Sequence, residues 1–182
     1  MRVRRRPGKA VTTGALTLVL ALAAAGLYWF QPWKVWTDET VREALPAAGT
    51  QAPGASGSGA GAGEPTTLAQ GTFISHEHTT RGRGRVLGLP DGTRTLRLED
   101  LDTSNGPALH VWITDAPVKA GTGGWRLFDD GRHVDLGALK GNKGDQNYAL
   151  PASVELDDLT GVSIWCERFS VSFGAAQLRT AG

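Results

Sequence analysis

Few side chains in this 182-residue sequence can do chemistry unaided, and Cys166 is the only thiol. A free cysteine most often behaves as a small buried hydrophobe. Outside the cytoplasm, however, an unpaired thiol meets oxidants, and there it can act as a redox group or as a ligand to a metal or haem. Arg168 lies two positions on, on the same face of an extended strand, where it could stabilise a thiolate. The histidines are His76, His78, His110 and His133. His76 and His78, at i and i+2, share one face of a strand and make a weak candidate metal pair, with His110 as a third ligand. His110 alternates with Trp112, opposite Leu109, Val111 and Ile113. It either packs with a hydrogen-bond partner or points into a cleft toward Cys166.

Much chemistry is excluded. One cysteine permits neither an intramolecular disulfide nor a Cys-rich zinc module, and the Cys-x-x-Cys-His haem attachment is missing. No Gly-x-Ser-x-Gly elbow or His-Glu-x-x-His pair occurs. The tract Arg81-Gly82-Arg83-Gly84-Arg85 reads as the polar face of a strand rather than an RNA-binding segment. The Gly-rich run Leu136 to Gly144 precedes no helix that could hold phosphate, so it reads as a turn-rich connection. With 19 basic and 18 acidic residues the chain lacks the basic excess of a nucleic-acid binder. No catalytic set is assembled, and a redox or binding module fits better than a stand-alone enzyme.

These residues must be positioned by elements that the charge pattern delimits. Arg2, Arg4, Arg5, Arg6 and Lys9 make the first thirty residues +5, whereas the rest of the chain is net −4. Residues 1–10 read as a cytoplasmic basic tail. Val11 to Phe30 carries no charge, and twenty residues at about 1.5 Å each span the hydrocarbon core of a bilayer. The positive flank places the C-terminal part outside, and Trp29, Trp33 and Trp36 suit the outer interface. An uncleaved signal anchor accounts for this better than cleavage after Ala23-Ala24-Ala25, which would leave an exposed apolar start. Within 31–45, Thr37 to Leu45 could form a short juxtamembrane helix capped by Thr37. Residues 46–70, mostly Ala, Gly, Pro and Ser, read as a flexible linker.

Residues 71–182 read as one all-β domain, an antiparallel β-sandwich or barrel-like body. Candidate strands are Thr72–Ser75, Arg85–Leu89, Thr93–Glu99, Leu109–Thr114, Val134–Leu136, Asn147–Leu150 and Val162–Phe173, separated by Gly, Pro, Asn and Asp turns. In the last strand Trp165, Phe169, Val171 and Phe173 share one parity, and Val162, Ile164 and Cys166 the other. Either this strand leaves the core after Cys166, or a bulge near Glu167 changes its register.

Three ordered stretches carry a resemblance: Asn105-Gly106-Pro107 with Leu109-His110-Val111-Trp112; Leu136 to Pro151, including Gly141-Asn142-Lys143-Gly144 and Gln146-Asn147-Tyr148; and Val162 to Leu178, including Trp165-Cys166-Glu167-Arg168. Together with Gly71-Thr72-Phe73 they resemble the DM-thirteen, or electron-transfer DM, domain family. The resemblance implies a β-sandwich-like cell-surface module proposed to serve electron transfer. Its signature cysteine, here Cys166, would act as a bare thiol or as a ligand to a prosthetic group such as haem. No cytochrome is fused to this chain, so a redox or cell-envelope protein partner would act in trans. The expectation is a membrane-tethered extracytoplasmic module working by electron transfer or thiol redox through Cys166. The alternative is a non-catalytic surface binding module with a structural Cys166. The lipid membrane is an expected partner and nucleic acid is not. Arg outnumbers Lys 14 to 5, a composition suited to a GC-rich bacterial genome.

Overall fold

The computed structural model describes residues 9–46 and 63–181. Helix α1 covers Lys9–Phe30. The span Thr13–Lys34 has a mean hydropathy of 1.7, and none of it is buried against protein. Leu16, Leu18, Leu20 and Leu22 all project outward. A helix that is apolar all round and buried against no other element along this span is long enough to cross a bilayer. It ends at Gln31, which adopts a left-handed conformation (φ 43°) and is followed by a 3-10 turn at Pro32–Trp36.

The rest is β. The strands are β1 (Thr40–Arg42), β2 (Thr66–Ser75), β3 (Arg81–Gly88), β4 (Arg94–Asp102), β5 (Leu109–Thr114), β6 (His133–Ala138), β7 (Lys143–Leu150), β8 (Gly161–Cys166), β9 (Val171–Gln177) and β10 (Arg179–Thr180). They form one sheet in the order β1-β7-β4-β3-β2-β9-β8-β5-β6, with β10 on the side of β2. Every pairing is antiparallel except β1 with β7. The sheet curls into a half-barrel, so the β expectation holds and the barrel-like form is the one adopted. Its seam lies between β6 and β7, which follow one another in sequence but stand near opposite ends of the strand order.

Period-two alternation puts Val86, Leu96, Leu98, Val111, Ile113, Val162, Ile164 and Cys166 in one inner core. The outer face of β5, β8 and β9 is also apolar. There Trp112, Trp165 and Ala175 are covered by Ala116 and Phe128 of the long β5–β6 connection. Two covered faces explain why β8 is buried at every residue.

Three expectations need correction. The run Val162 to Phe173 is not one strand but the hairpin β8–β9, with Cys166 paired to Val171 and residues 167–170 as the turn. Ser170 sits at φ 47°, and the Phe169 amide donates to the Cys166 carbonyl at 3.3 Å. No Gly, Pro, Asn or Asp marks this turn, so pattern reading runs through it. As a result Trp165 lies on the outer face, whereas Val171 and Phe173 lie in the inner core. Second, residues 37–45 form no helix: β1 runs parallel to β7 along the sheet edge. Third, β2, the first strand of the body, begins at Thr66, six residues before the expected start. Residues 47–62 of the expected linker lie outside the described residues.

Candidate functional site

Cys166 ends β8 between Leu109 of β5 and Val171 of β9. It is free and fully buried in the inner core. Burial pushes its thiol above the ordinary value, partly opposed by backbone hydrogen bonds with Phe169, Arg168 and Ala108. Arg168 is not beside it. The guanidinium reaches away to the end of α1, where it donates to the carbonyls of Trp29 and Tyr28 and lies 5.0 Å from the centroid of the Trp29 ring. A thiolate there lacks both solvent and a cationic partner, the two conditions that make a cysteine reactive. A haem at this position does not fit. The side chains clustered with Cys166 are closely packed core residues, leaving no slot for a macrocycle.

The opposite face of the same strands is rich in aromatic and titratable groups. His110 pairs with Trp165 across β5–β8 and therefore faces outward, away from Cys166. Its Nδ1 lies 2.9 Å from Asp135 Oδ2, and its Nε2 lies 3.6 Å from Glu167 Oε2. These three residues come from β5, β6 and the first position of the β8–β9 turn. Next to them the His133 ring stacks on Trp112 at 3.9 Å between centroids, and Trp112 stacks on Trp165 at 5.0 Å. Phe128 meets Trp165 edge-on at 6.2 Å, and its ring is tilted against His76 at 5.7 Å. The indole Nε1 of Trp112 is buried without a hydrogen-bond partner.

His76 and His78 occupy a bend beyond β2 rather than a continued strand. His76 is buried, with Nδ1 2.9 Å from Ser172 Oγ and Nε2 3.1 Å from the Lys119 carbonyl. The carbonyl can only accept, so Nε2 carries the proton, and Nδ1 faces the Ser172 hydroxyl, which also reaches the Gly174 carbonyl at 3.1 Å. Ser163 Oγ donates to Ser172 at 2.9 Å. This His–Ser contact is enclosed by protein and serves packing. His78 lies against the Phe173 ring at 3.9 Å. Burial lowers the pKa of both rings. Among the described residues, the group of potential metal ligands that converges is His110, Asp135 and Glu167. Sequence reading singled out His110 but missed both carboxylates, whose approach depends on strand pairing.

The stretches that carried the resemblance have structural work. Gln146 is buried; its Oε1 accepts from the Lys140 amide and from Tyr148 Oη, at 3.1 and 2.7 Å. Burial raises the Tyr148 pKa to about 12. Asn142 accepts from the Glu39 amide at 2.7 Å and donates to Asp38 and to the Thr103 carbonyl, at 2.8 Å each. A cleft of about 880 Å³ lies elsewhere, between Arg81, Arg83, Arg179 and the β2 edge.

An apolar N-terminal helix joined to a curled β domain, with one buried thiol and an aromatic outer face, defines the class. Residues 72–178 match the family model described as Electron transfer DM13, and the chain belongs to that family. No curated protein and no solved structure matches the chain.

Proposed function

We propose that this protein is a membrane-tethered electron-transfer module whose β domain works on the extracytoplasmic side. Family membership supports a redox-related role. The apolar α1 supports tethering, and the basic residues before it support a cytoplasmic N-terminus. One observation carries the reading: the rings of His133, Trp112 and Trp165 run in contact from an exposed position into the outer cluster. Electron tunnelling falls steeply with distance, so rings in contact are suited to relay single electrons. An electron entering from a reduced cell-envelope protein leaves to an oxidised one, and the stack is unchanged after each passage. Cys166 is not the conduit in this scheme. Its oxidation would require proton loss from a buried thiol, which burial disfavours.

The test uses the full chain in nanodiscs with Trp29, Trp33 and Trp36 replaced by Phe. A photogenerated ruthenium(III) complex serves as a one-electron oxidant. The expected result is a transient tryptophan radical, at least tenfold slower to form in Trp112→Phe and unchanged in Cys166→Ala. Equal rates in the parent and Trp112→Phe proteins, or loss of the signal in Cys166→Ala, would overturn the proposal.

The second reading is a non-catalytic binding module with a structural Cys166. The complete burial of that residue favours it. It predicts no tryptophan radical above that of a denatured control.

A further inference from the structure

We infer that His110 and Glu167, with Asp135 behind the imidazole, form a site for a divalent transition-metal ion. The inference is independent of any electron relay through the neighbouring rings. It begins with Asp135, which is held on both oxygens. Oδ1 accepts from the Gly137 amide at 2.8 Å, and Oδ2 faces His110 Nδ1 at 2.9 Å. The β5–β6 register slips here, between His110↔Ala138 and Trp112↔Asp135, and this slip brings the carboxylate to the ring.

An ionised carboxylate only accepts hydrogen bonds, so His110 Nδ1 carries the proton in that contact. The free lone pair of the neutral ring is then on Nε2. It faces Glu167 Oε2 at 3.6 Å, too long for a hydrogen bond. Two electron-rich atoms facing each other at this distance are suited to share a cation, a metal ion or a proton. Bonds of about 2.0–2.2 Å to nitrogen and to oxygen span that gap with an angle of about 120° at the metal. The candidate ligand atoms of all three residues lie within 4.8 Å of one another. Asp135 then serves as the outer carboxylate that orients a ligating histidine and raises its basicity.

The surroundings agree. The Glu167 amide donates to the Ala108 carbonyl at 3.0 Å, which fixes its backbone beside β5, while its side chain is 46% exposed and free to turn. Neither Asp135 nor Glu167 is ion-paired to a lysine or arginine among the described residues. A cleft of about 280 Å³ adjoins His110, lined in part by Lys34, Glu39, Asn105 and Asn142, and leaves room for water or an added ligand. One imidazole with carboxylate oxygens suits first-row divalent ions, with copper(II) bound more tightly than zinc(II). Calcium and magnesium prefer all-oxygen sites.

The experiment titrates the full chain in detergent with copper(II) and with zinc(II) by calorimetry, and records copper(II) electron paramagnetic resonance. One ion per chain, with hyperfine splitting from a single nitrogen, is expected. Glu167→Gln should weaken binding at least tenfold, and Asp135→Asn by about 10–100-fold. His78→Gln should change nothing. Glu167 is surface-exposed, so its variant reads the site even where His110→Gln fails to fold. Uptake by Glu167→Gln equal to that of the unaltered chain would overturn the inference. So would an absence of uptake, which would leave a proton alone between Nε2 and Glu167.

Discussion

At the scale of single residues, the thiol and the histidines behave according to what surrounds them. Cys166 should resist an aromatic disulfide reagent in the native protein and titrate as one thiol per chain in guanidinium. Reaction of the native protein at the rate of an exposed thiol would contradict its burial. Cys166→Ala should lower stability by about 1 kcal/mol, read from the urea midpoint, because the core loses one buried atom. Burial holds His76 and His78 below the ordinary value of 6.5, so the unfolded chain takes up protons at higher pH than the native one. Their contribution is complete above that value and is lost as pH falls through the lower folded values. The urea midpoint should therefore fall between about pH 7.5 and about pH 5.5, and less steeply in His78→Gln. A flat midpoint over that window would contradict the assignment. Asp38, lowered by its hydrogen bonds with Lys143 and Asn142, and Glu43, where burial is outweighed by Lys140, the Asn147 amide and Arg97, lose their contribution only in the carboxylate range below it.

At the scale of elements, β1 is the least expected piece. Three residues of parallel pairing are too few to hold a strand by themselves, and side chains do the rest. Arg97, buried on β4, donates to the carbonyls of Glu43 and Ala44 at 3.1 and 3.2 Å. Lys143 binds Asp38 at 2.7 Å, and the Asn147 amide donates to Glu43 at 2.6 Å. Gly144 lets the two backbones meet. Its φ is +94°, and a Cβ there would stand 2.0 Å from the Val41 carbonyl oxygen. Gly144→Ala should cost about 1–3 kcal/mol and raise hydrogen exchange at Thr40–Arg42. Unchanged exchange at those amides would show that β1 does not depend on this approach. In sequence, Gly141-Asn142-Lys143-Gly144 looks like any other turn, because a glycine needed for close approach is indistinguishable from one needed for a bend.

At the scale of the whole molecule, β1 changes how α1 and the body are joined. The body is clasped to the segment that follows α1, not only connected through residues 46–70. The tip of the β8–β9 hairpin adds to this: Phe169 stacks on Phe30 at 6.0 Å, and Arg168 covers Trp29. A protease site placed within residues 47–62 tests the point. After cleavage the body should stay with the membrane fraction, and Gly144→Ala should release it. Release of both proteins alike would mean that the chain connection alone holds the body.

Local pattern was enough for the charge asymmetry, the 20-residue apolar run, the β character and most strand positions. Leu109–Thr114 was legible to the residue, because alternation and flanking turns are properties of neighbours in sequence. The burial of Cys166 among core side chains also agrees with the parity of Val162 and Ile164. Only the tertiary structure decided which faces are covered, that Val162 to Phe173 folds back on itself, and that His110 faces Asp135 and Glu167 rather than Cys166. Those outcomes rest on pairings between strands far apart in the chain. A two-residue period says that a side chain lies on one of two faces, but not what the partner strand brings to that face.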